Sequence, residues 1–245
     1  MVLNYSWPSA ENILKYSLDV THAKKSIPSF ANLVEILAQR TRARKINIIA
    51  YSAGAQIVAP GLAYLRDLYA DESADVLKKR LKIGEVYFTG PDAEFKSFAD
   101  QYLTFKDIVD RTSINMNFND SVLWMSEFQN GKSRLGRPNF EELSKEDKQV
   151  YIDATFSSKL DVLNVGGSEA LNLGGAHDSW YSHPWVSNDL LLLLMTNASP
   201  EGRGLLESSP KVGGRGYYFP DDYIPRFEKN LNEYENELRK KGIIK

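Results

Sequence analysis

The segment from residue 46 to residue 55 constrains the fold of this chain more than any other. It begins with an apolar run, Ile46-Asn47-Ile48-Ile49-Ala50, of the kind found in a strand that is buried on both faces of a sheet. Tyr51-Ser52-Ala53-Gly54-Ala55 follows directly, and its small residues open a helix that continues towards Tyr69. Strands that alternate with helices form mostly parallel sheets with helices on their faces. We therefore expect an α/β protein with this strand at its centre.

The rest of the chain repeats the alternation of strands and helices. The residue pattern predicts strands at residues 2–7, 83–89, 113–118 and 160–165, and a last helix at about 225–241. A helix is predicted from about Ser29, because apolar residues recur there at helical spacing, at positions 30, 33, 34 and 37. Residues 129–148 are polar and predict an excursion from the core, either a lid or a solvated helix and loop. We expect one domain over residues 1–245.

Composition excludes several classes of function. The 245 residues include 30 Lys+Arg and 32 Asp+Glu, for a net charge of −2, which argues against a strongly basic nucleic-acid-binding protein. The sequence contains 0 cysteines, so thiolate nucleophiles and disulfide scaffolds are excluded. No run approaches the roughly 20 apolar residues of a membrane span. No targeting segment is recognisable in the chain, which makes the cytoplasm the default expectation.

Ser52 is the first candidate functional residue, because it lies between a predicted strand and a predicted helix. The surrounding residues match the G-x-S-x-G pattern of a nucleophile elbow at Gly54, whereas Ala50 replaces the first glycine. At such a turn the backbone N–H of the next residue, here Ala53, can donate to an oxyanion. The alternative is a tight strand-to-helix turn with an inert serine.

A nucleophilic serine needs a base, and the candidates are His22, His177 and His183. His177 is preferred, because it follows the predicted strand at 160–165 through a glycine-rich stretch and should lie at the carboxyl edge of the sheet. His22 and His183 are interpreted as bystanders. His177 and His183 have no obvious third ligand nearby in the sequence, so we expect no metal, and no other cofactor is indicated.

The acid that orients the histidine is sought at the end of a strand between the serine and the histidine. Asp120 follows the predicted strand at 113–118, and Asp92 follows the one at 83–89 as the alternative acid. With Asp120, the order Ser52, Asp120, His177 is the Ser, Asp, His order of α/β-hydrolases. For each aspartate the competing interpretation is a turn or helix-capping role.

The chain resembles the α/β-hydrolases of the domain-of-unknown-function 900 family, which are described as esterase-like or lipase-like. The resemblance extends to about Met195, and four segments carry it: Tyr5-Ser6-Trp7-Pro8-Ser9, residues 48–54, Asn119-Asp120 and residues 176–181. It implies an α/β-hydrolase fold and a triad of Ser52, His177 and Asp120. Such a triad hydrolyses an ester or related acyl bond of a small-molecule substrate through an acyl-enzyme.

Two departures from the family pattern shape the remaining expectations. The family usually has His-Ser-Met-Gly where this chain has Tyr51-Ser52-Ala53-Gly54, and no histidine here is followed by glycine. The early strand and the His-Gly loop that carry the second oxyanion donor are therefore expected to be missing from this chain, as in an N-terminally truncated form. A sheet edge exposed in this way could pair with another chain. The alternative function is a catalytically silent hydrolase scaffold that binds a ligand or partner.

Overall fold

The computed structural model describes residues 1–9, 16–157, 159–209 and 214–244. Within these ranges six strands form one sheet in the order β1-β2-β3-β4-β6-β5. Neighbouring strands are parallel except β5 and β6, which are antiparallel. The strands are β1 (Ile46–Tyr51), β2 (Ile83–Thr89), β3 (Val109–Met116), β4 (Leu160–Asn164), β5 (Leu206–Ser208) and β6 (Gly216–Tyr218). The prediction of a mostly parallel sheet flanked by helices is confirmed.

Helices connect the strands and cover both faces of the sheet. Because successive side chains of a strand point to opposite faces, Phe88 of β2 packs against Phe98 on one face, whereas Tyr87 packs against Leu190 and Leu193 on the other. The helices are α1 (Tyr16–Lys25), α2 (Ile27–Arg40), α3 (Ala55–Leu68), α4 (Ala74–Leu81), α5 (Phe95–Phe105), α6 (Ser121–Asn130), α7 (Lys145–Phe156), α8 (Ser179–Ser182), α9 (Pro184–Thr196) and α10 (Tyr223–Lys240).

The strand that precedes Ser52 lies at an edge of the described sheet, not at its centre as predicted. β1 pairs with β2 on one side, and no other described strand pairs with it. As a result Asn47 is exposed and the Ile49 side chain keeps 40% of its surface exposed. All seven residues of β2 are buried, so β2 has the position that the apolar run of β1 suggested.

The strand predicted at residues 2–7 is also absent from the described part of the chain. Residues 1–9 form no ladder, and Tyr5 contacts α2 and the residue before it instead. The Tyr5 hydroxyl donates a hydrogen bond to the Ser26 carbonyl at 3.1 Å, and the Tyr5 ring meets the Phe30 ring edge-on at 5.7 Å. Of the apolar residues that suggested a strand, Tyr5 and Trp7 pack against the core, whereas Val2 is 99% exposed and Leu3 is 50% exposed.

The polar segment 129–148 is connected to the body of the protein through the residues that follow β2. The Leu135 N–H donates to the Ala93 carbonyl at 2.8 Å, and the Phe95 N–H donates to the Ser133 carbonyl at 3.1 Å. Arg134 in the same segment is 5% exposed. This segment therefore buries part of its length beside the carboxyl end of β2.

A group of polar residues lies buried in the middle of the sheet, under α9. Arg203 donates from Nε to Asp189 Oδ1 at 2.7 Å, both side chains are 0% exposed, and Asp161 Oδ2 lies 3.8 Å from Arg203 Nη1. Glu85 of β2 is 2% exposed, and burial raises the pKa of its carboxyl to about 7. Burial likewise raises the pKa of Asp161 to about 6. We call these residues, with Tyr87, the interior polar cluster.

Candidate functional site

Ser52 lies at the turn between β1 and α3. Its φ is +50°, in a region that non-glycine residues rarely adopt, and Ser52–Gly54 form a single 3₁₀ turn. A strained serine between a strand and a helix is the backbone geometry that a nucleophile elbow requires. Ala50 before it is 1% exposed, which explains its small size, whereas a Cβ built on Gly54 would meet no atom within 4 Å.

The structure brings the predicted histidine against this serine. His177 lies in the loop that follows β4, and its Nε2 is 2.8 Å from Ser52 Oγ. Its Nδ1 is 2.7 Å from Asp120 Oδ2, and the His177 side chain is 11% exposed. The three preferred side chains therefore form one continuous row of hydrogen bonds.

Asp120 is held by the helix that it begins. Its Oδ1 accepts from the backbone N–H groups of Val122 and Leu123 at 3.0 and 2.9 Å, as an N-cap side chain does, and the residue is 1% exposed. The other oxygen, Oδ2, is thereby left facing His177. The same aspartate thus caps α6 with one oxygen and is hydrogen-bonded to His177 through the other.

The alternative acid, Asp92, has different partners. Asp92 Oδ1 accepts from Arg134 Nε, and from Ser126 Oγ at 2.8 Å, while Arg134 Nη2 donates to the Asp92 carbonyl at 2.9 Å. The Asp92 N–H donates to the Ser52 carbonyl at 3.0 Å. Asp92 is therefore a neighbour of the serine turn through its backbone, and its carboxylate pairs with a buried arginine.

The two other histidines lie outside this row. His183 precedes α9, and its Nδ1 accepts from the Trp185 N–H at 3.2 Å as the N-cap of that helix. Burial lowers the pKa of His183. His22 is exposed on α1, with its Nδ1 3.2 Å from the Pro8 carbonyl.

Sequence reasoning missed Asn117, which fixes the histidine loop. Its Nδ2 donates to the carbonyl of Ala176 at 2.9 Å, next to His177. A Cβ on Gly166 would come within 2.1 Å of Asn117 Oδ1, so the loop needs glycine there to approach the strand end. The available signal was an asparagine at the strand end, three residues before Asp120.

Tyr51 supplies an aromatic wall beside the histidine. Its ring centroid lies 5.3 Å from that of His177, and 5.7 Å and 6.1 Å from those of Trp180 and Tyr181. Burial, and then the neighbouring Tyr181, raise the pKa of the Tyr51 hydroxyl. Tyr51 therefore stays neutral at physiological pH, so the wall adds no charge beside the histidine.

A small pocket of about 170 Å³ opens beside Ser52. It is lined by Ser52, Asp92, Ser121, Val122, Met125, Ser126 and Gln129. A larger cavity of about 760 Å³ lies along β1 between residues 1–7 and α2, and neither Ser52 nor His177 lines it. The smaller pocket is therefore the one that a molecule reacting at Ser52 would enter.

In the described ranges, no group of three or more His, Cys, Asp or Glu side chains is placed to hold a metal ion. Nor does any helix of the described residues have the length and apolar character needed to cross a membrane.

Comparison with known proteins places the chain in a family. The model for alpha/beta hydrolases of unknown function (DUF900) matches residues 1–193. The chain is 30% identical over 114 residues to the uncharacterized protein alr1448 of Nostoc sp. strain PCC 7120, and the match covers 46% of this chain but only 28% of that relative. No solved structure matches. The chain belongs to the DUF900 family of alpha/beta hydrolases of unknown function.

Proposed function

We propose that this chain is a serine hydrolase that cleaves an ester or a related acyl bond. The observation that carries the proposal is the row of hydrogen bonds from Ser52 Oγ to His177 Nε2, at 2.8 Å, and from His177 Nδ1 to Asp120 Oδ2, at 2.7 Å. Both distances lie within the reach that a nucleophile, its base and an orienting acid need. Family membership supports hydrolysis as the reaction class.

The first half of the reaction transfers the acyl group to Ser52. Its Oγ bonds to the acyl carbon while the hydroxyl proton passes to His177 Nε2, and the resulting imidazolium is stabilised by the Asp120 carboxylate. The bond to the leaving alcohol then breaks, and the alcohol departs with the proton from His177. In the second half a water molecule gives a proton to His177 and its oxygen to the acyl carbon. The bond between the acyl carbon and Ser52 Oγ then breaks, the proton passes from His177 to Oγ, and the acid is released.

The developing oxyanion needs a donor, and the Ala53 N–H is our candidate. Ala53 lies in the first turn of the 3₁₀ segment that precedes α3. The first amides of a helical segment have no acceptor within the helix, so they are available to an anion. Loss of one oxyanion donor typically costs about 10²–10³-fold in kcat, which sets the scale of this contribution.

A fluorophosphonate probe, which reacts only with an activated serine, tests the proposal. We expect the native chain to be labelled once, and Ser52→Ala to be unlabelled. Ser157→Ala, which removes an exposed hydroxyl at the end of α7, is the matched control and should be labelled like the native chain. Absence of labelling in a folded native protein would reject the hydrolase and favour the silent binding scaffold.

A further inference from the structure

Helix α6 carries apolar side chains on its solvent side. Leu123 and Ser126 face the core, whereas the exposed fractions of four large apolar residues range from 43% to 81%: Val122 47%, Trp124 55%, Met125 43% and Phe128 81%. A surface helix of a globular protein normally has charged and polar residues on that side. The one charged residue of α6, Glu127, pairs with Arg137. Four of the five large apolar side chains of this helix therefore lie on its exposed side.

These four side chains lie on one side of the helix, together with the exposed polar residues Ser121 and Gln129. At 100° per residue, positions 122, 124, 125 and 128 fall on adjoining parts of the helix circumference. The Trp124 and Phe128 rings are stacked, with centroids 6.1 Å apart and planes at 21°. Phe118, just before the helix, is 42% exposed. We call Val122, Trp124, Met125 and Phe128 the α6 apolar face.

The α6 apolar face is continuous with the pocket at Ser52. Val122 and Met125 belong to both, since they line the 170 Å³ pocket together with Ser52. That volume is below the about 300–1,000 Å³ of pockets that enclose a drug-sized ligand. A substrate with a long chain would thus have only its reacting end inside the pocket, and the remainder would lie over the apolar face.

A lipid surface fits this face better than a protein partner does. Val122 and Met125 are exposed and also line the pocket, so a protein seated on them would cover that side of the pocket, whereas a lipid surface would present its ester groups there. Exposed Trp and Phe on one side of a helix are one feature of helices that lie in a membrane interface; the Lys and Arg that such helices carry on their polar side are absent from α6. Since no charged side chain belongs to the face, attraction to it should not need anionic lipid.

We propose that the α6 apolar face docks on a neutral lipid surface and that the site takes from it an ester lipid with an aliphatic acyl chain. The proposal that the site takes an ester lipid rests on the proposed serine hydrolase function. The reaction consumes one water and yields a fatty acid and the alcohol part of the lipid, through the acyl-Ser52 intermediate. No further reactant is needed.

Docking is tested apart from catalysis in the Ser52→Ala background, by flotation with phosphatidylcholine vesicles. We expect the protein to bind the vesicles equally well at low and high salt. Adding the double substitution Trp124→Ser/Phe128→Ser should weaken this binding by about tenfold or more, because it removes two large apolar side chains from the interface. Leu68→Ser/Phe156→Ser, which replaces residues exposed by 50% and 55% on other helices, is the matched control. Equal binding by both double variants, or no binding, would overturn the proposal.

The substrate class is tested in the protein with native Ser52. We expect Trp124→Ser/Phe128→Ser to lower the rate on a vesicle-borne ester lipid by about tenfold or more relative to the rate on dissolved p-nitrophenyl acetate. An unchanged ratio would overturn the proposal. A dimer in buffer that this double variant abolishes, without vesicle binding, would assign the face to a second copy instead. Fluorophosphonate labelling without vesicle binding would reject the docking alone and leave the hydrolase proposal intact.

Discussion

The same sheet carries two groups of buried polar side chains, and they are paired in different ways. At the carboxyl edge, Ser52, His177 and Asp120 form one row, and each has a partner. In the interior polar cluster, the carboxylate oxygens of Glu85 and the hydroxyl of Tyr87 make no well-aligned hydrogen bond among the described residues, although Ser113 lies beside Glu85 and Asn115 beside Tyr87. The first group is an unbroken row of hydrogen bonds, whereas the second combines the Arg203–Asp189 ion pair with side chains that lack a well-aligned partner.

This difference follows from where each group lies along the strands. Backbone groups in the middle of a sheet are used by the ladders, so buried side chains there depend on one another. At the strand ends the chain turns, and free backbone N–H groups, such as those of Val122 and Leu123, can fix a carboxylate. We therefore expect substitutions at the edge to change activity, and substitutions in the cluster to change stability and its pH dependence.

Asp120→Asn is expected to have the largest effect. Two backbone N–H groups donate to Asp120 Oδ1, so the amide oxygen of asparagine should take that place and its NH₂ should face His177 Nδ1. The ring then carries its proton on Nε2 and cannot accept one from Ser52, which should reduce the fluorophosphonate labelling rate by about 10³–10⁴-fold. Asparagine caps helices as well as aspartate does, so the free energy of unfolding should change by less than about 1 kcal/mol.

Asp92→Asn is the comparison for that prediction. The carboxylate of Asp92 pairs with Arg134, which is 5% exposed, so this variant should lose stability much more than labelling rate. If Asp92→Asn abolished labelling and Asp120→Asn did not, the acid would have been assigned to the wrong strand end.

Asp189→Asn should destabilise the interior polar cluster. It removes the nearest carboxylate from the guanidinium of Arg203, which is 0% exposed and keeps the Ala198 carbonyl at 2.8 Å and the more distant carboxylate of Asp161 at 3.8 Å. Removing one member of a buried pair typically costs about 3–5 kcal/mol, and urea unfolding would measure this loss. Asp110→Asn removes a carboxylate whose pair with Lys45 is partly exposed, and should cost less than about 1 kcal/mol. Similar losses of stability in Asp189→Asn and Asp110→Asn would contradict the difference expected between a buried and a partly exposed ion pair.

Glu85→Gln should flatten the dependence of stability on pH. Burial raises the pKa of Glu85 from 4.5 to about 7, so between these pH values the folded state binds more protons than the unfolded state. The free energy of unfolding therefore falls as pH rises through this window, by about 3 kcal/mol from this group. Asp161, whose pKa burial raises to about 6, adds a fall of the same sign that remains in the variant.

Unfolding in urea at about pH 4.5 and about pH 7.5 measures the change in slope. Glu141→Gln, at a side chain that is 85% exposed, is the control and should keep the native slope. An unchanged slope in Glu85→Gln would show that this carboxyl titrates in the folded state as it does in the unfolded chain.

The sequence predicted the parts of the fold that depend on local pattern. The alternation of apolar runs and helical spacing was sufficient for β2, β4 and α2, and the Ser52 turn was recognisable because small residues separate a strand from a helix. The edge position of β1 was not predictable in this way, because an apolar run shows that a strand is buried but not which strands lie beside it. The strand predicted at residues 2–7 was wrong for a similar reason, because the residue pattern does not show what the segment packs against.

The choice between the two acids also lay beyond local pattern. Asp92 and Asp120 both follow a strand, and what separates them is Arg134, which approaches from a segment interpreted as a surface excursion. The α6 apolar face was not predictable either, because residues 122–125 are four consecutive apolar residues and their pattern does not show which of them faces the core. Long-range packing decides such questions, and one sequence does not display it.

Gly90→Ala should have the smallest effect, and it tests how closely the position of the His177 ring is determined at the carboxyl edge of the sheet. Gly90 has φ +48°, and a Cβ there would lie 3.0 Å from Cε1 and Nδ1 of His177. Gly131 has φ +65° and no atom within 4 Å of such a Cβ, so Gly131→Ala adds a similar backbone strain of about 1 kcal/mol without the contact. We expect both alanine variants to lose similar stability, and only Gly90→Ala to lower the labelling rate, by about tenfold, because it displaces the imidazole. Equal labelling rates would mean that the ring tolerates the displacement, and that Asp120 and Ser52 alone determine its position.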